Sequence, residues 1–422
     1  MFEQDIETAK SLLEQKKYAE AGKIFRQAWE QGDNSYAASQ YLYCLRKAGY
    51  PQPAIQQGKK AGLQFENNTY IQRELIWAHY DLLKIAQEEE NLSKVIQIAE
   101  TILENQPEDM ALEKTVLGVI KLAKQQKQWQ TVSDWCDQIN PEIISDKQPL
   151  IGDQKVKSNK EQWYFAKVKS LIEIESWHQA RRFALEAAKI YPKEINFPRW
   201  AALGLKSLGK NQDAIEEFKQ LILKYREEWY VFQDLSDLYQ NTNQLELALR
   251  FACKAALAPG EDHIKITLYQ EIAQIGLLMN KLEMAARHIQ LCKSIRQQQN
   301  WRIKANLEQL ELDINQAFSE QNMERLEDCG EFNDLRTICR QYWLKESYQG
   351  LPRQKGYIES IQQDKPYGWI RSEDGKRVFF LQKELPKFLR KEKLNVDFAL
   401  EESWDNSKNK LSFKAVNIKV EK

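Results

Sequence analysis

The chain has 422 residues, too long for one compact core, and balances 61 Lys+Arg against 61 Asp+Glu. It should therefore divide into more than one cooperative unit, and its overall charge points to neither nucleic acid nor a membrane. The charged opening MFEQDIETAKSLLEQ excludes a signal peptide, and no apolar run approaches the ~18 residues of a membrane span. The expectation is a soluble, cytoplasmic protein with no membrane contact. Six scattered cysteines (Cys44, Cys136, Cys253, Cys292, Cys329, Cys339) form no CxxC pair and have no histidine at zinc spacing. That predicts buried thiols in a reducing compartment and no metal site.

Glycine and proline are sparse before residue 350, and apolar residues fall three and four apart, which predicts helices. One phrase then recurs: an aromatic residue or Leu, two residues, a small residue, and further apolars four and seven on. It reads YAEAGKIFRQA from Tyr18, WHQARRFALEA from Trp177, NQDAIEEFKQL from Asn211, LELALRFACKA from Leu245 and LEMAARHIQLC from Leu282. The small residue marks a helix crossing. Ala180, Ala214 and Ala248 are spaced by 34, Ala285 follows after 37, and Ala21 to Ala54 is 33.

This pattern resembles the tetratricopeptide repeat family. Trp200, Leu203 and Gly204 match its W-x-x-L-G opening, Phe232, Leu235 and Tyr239 match the opening and later tyrosine, and Ala180, Ala187 and Pro192 match its second helix and terminal proline. The resemblance covers about two-thirds of the chain and implies about eight helical hairpins between Asp5 and Arg296. The third unit carries an insertion near AQEEENLS, and the fourth has Val132 at the small-residue position. The predicted organisation is repeats over 1–141, a loop over 142–160, repeats over 161–296 and capping helices over 297–349. Such a solenoid presents a concave surface to a protein or peptide.

At Gly350 and Pro352 the helical pattern stops and period-two alternation begins. Five strands are predicted, at Gly356 to Ile361, Pro366 to Ser372, Arg377 to Leu381, Leu394 to Glu402 and Leu411 to Val420, with a tight turn at Asp374-Gly375. Together they suit a small antiparallel barrel of OB type over 350–422. The fold class is thus an all-α superhelical solenoid followed by a five-stranded antiparallel β-barrel. Alternation places Tyr367, Trp369 and Phe379 on one face and Ile370, Val378 and Phe380 inside.

The stretch from Gly356 to Leu381 looks like a cold-shock domain. Lys365, Tyr367, Gly368, Trp369 and Ile370 match that family's K-G-F-G-F-I motif, Val378 and Phe379 begin its V-F-V-H motif, and Ala415 to Ile418 resembles its A-x-N-V ending. The resemblance implies that Tyr367, Trp369 and Phe379 stack bases of single-stranded RNA or DNA, RNA ahead of DNA, while Lys365 meets phosphate or sugar. Arg371, Lys376 and Arg377 supply further positive charge; from Leu351 onward 16 Lys/Arg face 11 Asp/Glu, leaving −5 for the remainder. That remainder argues against a nucleic-acid path along the solenoid. Where the family has a first-strand tryptophan and a lysine, this chain has Ser360 and Glu359. Leu381 and Gln382 replace a histidine and an aromatic, and Trp404 is either a replacement ring or a loop anchor.

No nucleophile elbow, zinc-protease motif or phosphate-binding glycine loop is present, and His79, His178, His263 and His288 stand alone in helical patterns. The reading is a non-enzymatic adaptor without cofactor or metal. A pure interaction scaffold, whose terminal barrel docks a partner subunit and no nucleic acid, stays open beside it.

Overall fold

The computed structural model describes residues 2–225, 228–324, 326, 331–405 and 410–421. Two compact units are present, Met1–Pro192 and Lys193–Lys422. The first is a run of helical hairpins: α1 (Phe2–Glu14) with α2 (Tyr18–Gly32), α3 (Ser35–Lys47) with α4 (Pro51–Gln64), and α5 (Thr69–Glu88) with α6 (Leu92–Glu104). It continues with α7 (Asp109–Gln125) and α8 (Trp129–Cys136), then α9 (Asn159–Glu173) and α10 (Trp177–Ile190). Inside the expected loop over 142–160 the structure adds a two-residue hairpin, β1 (Leu150–Ile151) against β2 (Gln154–Lys155).

The second unit holds three more hairpins: α11 (Asn196–Ser207) with α12 (Asn211–Lys224), α13 (Trp229–Asn241) with α14 (Leu245–Leu257), and α15 (Ile266–Leu278) with α16 (Leu282–Gln298). Helices α17 (Ala305–Glu320) and α18 (Phe332–Ser347) follow.

The repeat is written into the backbone. Among the described residues each of eight hairpins turns through one left-handed residue, two positions before its second helix. These are Lys16, Gly49, Glu90, Lys127, Glu175, Gly209, Asn243 and Asn280, with φ between 53° and 84°. The next amide reaches back over the last helical turn, as Gln244 N–H does to the Tyr239 carbonyl at 2.8 Å, and satisfies a carbonyl that the helix end would leave open. Three residues into each second helix comes the crossing side chain: Ala21, Ala54, Val95, Val132, Ala180, Ala214, Ala248 and Ala285, all sealed from solvent. A larger group there would hold the paired helices apart.

That register corrects one sequence match. The residues twelve before Ala248 and Ala285 are Ser236 and Ala273; twelve before Ala214 is Ala202. The buried face of α11 is accordingly Phe197, Ala201, Ala202 and Leu205, with Gly204, while Trp200 and Leu203 are only half-buried. The W-x-x-L-G match was out of step by two residues, because a bulky Trp and Leu near a glycine resemble the motif in either register.

The last helix closes the stack with an aromatic plug. Trp343 of α18 lies flat on Tyr269 at 5.2 Å and donates its indole N–H to His288 Nε2 at 2.7 Å. His288 donates Nδ1–H to the Met284 carbonyl at 2.7 Å, and burial pushes its imidazole down to about 4. The ring is held neutral, with both nitrogens used. Lys265 performs a related task after α14: its ammonium donates to the carbonyls of Ala256 and Ala258.

After α18 come β3 (Arg353–Ile361), β4 (Tyr367–Ser372), β5 (Arg377–Leu381), β6 (Asn395–Asp405) and β7 (Lys410–Val420), close to the predicted bounds. β3 pairs antiparallel with β4 and β6, β4 with β5, and β6 with β7. The expectation of a purely antiparallel sheet fails at β5 and β7, which pair parallel through Phe379–Lys414 and Phe380–Ala415. The cause is parity: β5 is two antiparallel steps from β3, and so is β7, hence both run the same way. Ile358, Ile370, Val378, Phe380, Val396 and Phe398 fill the interior. The β4–β5 turn places Gly375 at φ 79°, where the side-chain-free residue is favoured, and Asp374 accepts from the Ser372 hydroxyl at 2.5 Å.

Candidate functional site

Strand alternation delivers the three predicted rings to one face of β4 and β5. Trp369 sits opposite Phe379 and Tyr367 opposite Leu381, so the aromatic centres fall within 5.4–6.4 Å of one another. Tyr367 and Phe379 are tilted by 40°; the Trp369 contacts are edge-on. All three are half-buried, partly by each other. Gly368, between the first two, has its open side filled by the Phe380 ring. A Cβ there would come within 2.6 Å of that ring and 2.7 Å of the Ser360 carbonyl. The interior ring thus demands the glycine that separates the two surface rings.

The positive charges are less available than the sequence suggested. Glu359 accepts from Arg371 and, at 2.5 Å, from Arg377, and burial opposes but does not prevent the fall of its carboxyl below the ordinary value. Arg377 also lies over the Trp369 ring at 4.6 Å, and Arg371 donates to the Gly375 carbonyl at 2.9 Å. Lys376 pairs with Asp374 at 2.8 Å. Lys365 remains exposed at the end of the row, 5.8 Å from the Tyr367 ring centre. The seven predicted residues are therefore gathered on one side of β4 and β5 and their turns, but three of the four cations are engaged by two carboxylates.

One departure from the cold-shock pattern has a structural role. The Gln382 amide donates to the carbonyls of Gln362, Lys365 and Tyr367 at 2.6, 2.9 and 3.2 Å, pinning the loop that carries Lys365. Ser360, opposite Trp369, has a buried hydroxyl without a hydrogen-bond partner. Trp404 is a contact to the helices, with the Lys224 ammonium 5.6 Å from its ring; the rest of its loop, 406–409, lies outside the described residues.

The three rings do not line the cleft where the sheet meets the helices of its own unit. That cleft, of about 920 Å³, is lined from the helices by Phe251, Lys254 and Leu344 and from the sheet by Glu401, Phe413 and Lys414. Glu401 bridges Lys254 of α14 and Lys414 of β7; burial pushes its carboxyl up, but the two ammoniums outweigh it and leave it below the ordinary value. Nothing in the sequence pattern marked this joint, since its partners are 147 residues apart.

Five cysteines are buried free thiols, and Cys329 lies outside the described residues. Among the described residues no cluster of His, Cys, Asp and Glu could hold a metal, and no helix is long and apolar enough to cross a membrane.

The fold and the site thus define a helical-repeat chain carrying a small aromatic-faced sheet. A family model described as a domain of unknown function (DUF7017) matches residues 196–326. No curated protein sequence matches the chain. Among solved structures it is similar to a tetratricopeptide repeat protein from Parabacteroides merdae, at 15% identity and TM-score 0.29, over 63% of this chain and 96% of that one. It is similar to the TPR2AB domain of yeast Sti1 in complex with pHSP90, at 14% identity and TM-score 0.31, over 75% and 98%. YrrB, described as having an unusual peptide-binding site, aligns at 10% identity and TM-score 0.28, over 55% and 90%.

Proposed function

We propose that the protein is an adaptor: its helical hairpins hold a protein partner, and its terminal sheet, an OB-type barrel resembling a cold-shock domain, binds single-stranded nucleic acid, RNA ahead of DNA. The observation that carries the reading is the Tyr367–Trp369–Phe379 row, lying outside the cleft that faces the helices. Rings on a rigid sheet stack bases of any sequence, each contributing roughly 1–3 kcal/mol. Lys365 stands at the end of the row to meet a phosphate. We assign the protein partner to the first-helix faces of the second unit, where Arg199 pairs with Asp234 and Gln233 donates to Glu271.

The test is fluorescence anisotropy of the full chain with a labelled 20-nucleotide oligo(U) at low and high salt. The variant Tyr367→Ala/Trp369→Ala/Phe379→Ala should bind at least about tenfold more weakly, one stacked ring being enough for that loss. Absence of binding at low salt, or equal binding by the variant, would sink the nucleic-acid assignment. The second reading, a sheet that only docks a protein, is favoured by one feature: Glu359 occupies both arginines beside the rings. It requires that Glu359→Gln, which releases them, leaves the chain still unable to bind oligo(U).

A further inference from the structure

The net negative charge outside the sheet conceals a basic strip. In the first unit the first helices of successive hairpins pack on one another, α3 on α5, α5 on α7 and α7 on α9, more closely than the second helices do. They therefore lie on the inside of that unit's curve. On α7, Lys114, Lys121 and Lys124 are exposed and fall seven and three residues apart, on one stripe of the helix. None has a carboxylate partner among the described residues.

Some of the acids nearby are already committed. Glu74 and Asp81 of α5 both accept from Arg46 at 2.9 Å, and Asp81 also takes Lys84 at 2.8 Å. Glu113 of α7 accepts from the Ser145 amide and the Asn159 side chain. Glu113, Glu88 and Glu90 keep their negative charge, so the positive charge of the strip rests on the three lysines themselves.

Rings interleave with these cations. Lys114 approaches the Trp77 ring centre to 5.2 Å, Trp77 meets Tyr80 edge-on at 5.5 Å, and Lys47 lies 5.5 Å from Tyr43. Tyr43, Trp77 and Tyr80 are half-buried, so each keeps surface open to solvent. An acidic peptide calls for the cations alone. Alternating rings and ammoniums match alternating bases and phosphates.

We infer that the inner face of the first unit, from α3 to α7, is a second binding surface for single-stranded nucleic acid, with Lys114, Lys121 and Lys124 on the phosphates and Tyr43, Trp77 and Tyr80 beside the bases. This surface stands independently of the rings of the terminal sheet.

The experiment compares the full chain with Lys114→Gln/Lys121→Gln/Lys124→Gln, titrating labelled 20-nucleotide oligo(U) between 50 and 200 mM salt, as set by the span over which phosphate contacts lose affinity. The expected result is about tenfold weaker binding at the low end and a slope of log affinity against log salt reduced by about 2, three contacts at roughly 0.7 each. The three lysines are exposed, so the variant should fold. Unchanged affinity and slope overturn the inference, as does binding of an oligoglutamate peptide with none of oligo(U). The sheet variant Tyr367→Ala/Trp369→Ala/Phe379→Ala separates the two surfaces. If only the lysine variant weakens, this inference stands and the sheet assignment falls; if only the sheet variant weakens, the reverse holds.

Discussion

The first-helix rows of the two units are built from the same hairpin and lined with opposite chemistry. In the first unit Arg46 gathers Glu74 and Asp81, and the lysines of α7 are left over. In the second unit the carboxylates are in excess. Asp234 binds Arg199 at 2.5 Å, Asp237 lies 3.5 Å from Lys206, and Glu271 has only the Gln233 amide, at 2.7 and 2.8 Å. Burial, reinforced by Asp237, pushes the Glu271 carboxyl up to about 8. One backbone geometry thus presents a row of lysines in one place and a row of acids in another, so surface chemistry is set by a few positions per hairpin and not by the fold.

The contrast can be broken at its strongest point by Arg46→Ala. The guanidinium is almost wholly buried, and its loss leaves Glu74 without a cation and Asp81 with Lys84 alone; a cost of about 3 kcal/mol is expected, read as a fall in the urea midpoint. A pH series on Glu271→Gln comes next. The folded chain keeps the Glu271 proton where the unfolded chain, at the ordinary value of 4.5, has lost it. Stability therefore declines as pH rises from there toward 8. The glutamine has no proton to lose, and the variant should exceed the parent by on the order of 2 kcal/mol at pH 8, with the gap closing at pH 5.

His288 supplies the opposite sign. Its folded value lies near 4 against an ordinary 6.5, so its contribution is present above 6.5 and lost as pH falls toward 4. Relative to His288→Asn, the parent should lose about 1–2 kcal/mol between pH 7 and pH 5 in chemical denaturation. The smallest effect belongs to Lys114→Gln/Lys121→Gln/Lys124→Gln, whose thermal midpoint should match the parent, because exposed side chains without ion-pair partners contribute within about 0.5 kcal/mol.

Local sequence revealed what local forces decide. The small residues at the crossings, the strand bounds and the inward set of Ile370, Val378 and Phe380 follow from periodicity, and the structure has them buried. The aromatic row was legible for the same reason, since alternation and a tight turn fix which side chains share a face. The engagement of Arg371 and Arg377 was not, although the sequence has an acid, Glu359, where the cold-shock pattern has a lysine. Whether an acid disperses or captures its neighbours depends on register across three strands. The lysine strip on α7 was hidden by summing charge over the whole remainder of the chain. Its significance appears only when α5 brings Trp77 beside Lys114.

The turn residues have a last consequence. In the second unit the left-handed positions are Gly209, Asn243 and Asn280, residue types that accept that backbone readily. The first unit spends Lys16, Glu90, Lys127 and Glu175 on four of its five turns, each opposed by its own Cβ at a cost of roughly 1 kcal/mol. On heating, the end that carries the lysines should fray ahead of the end that carries the sheet. Glycine at those four corners would even out the melting without altering any surface assigned to a partner.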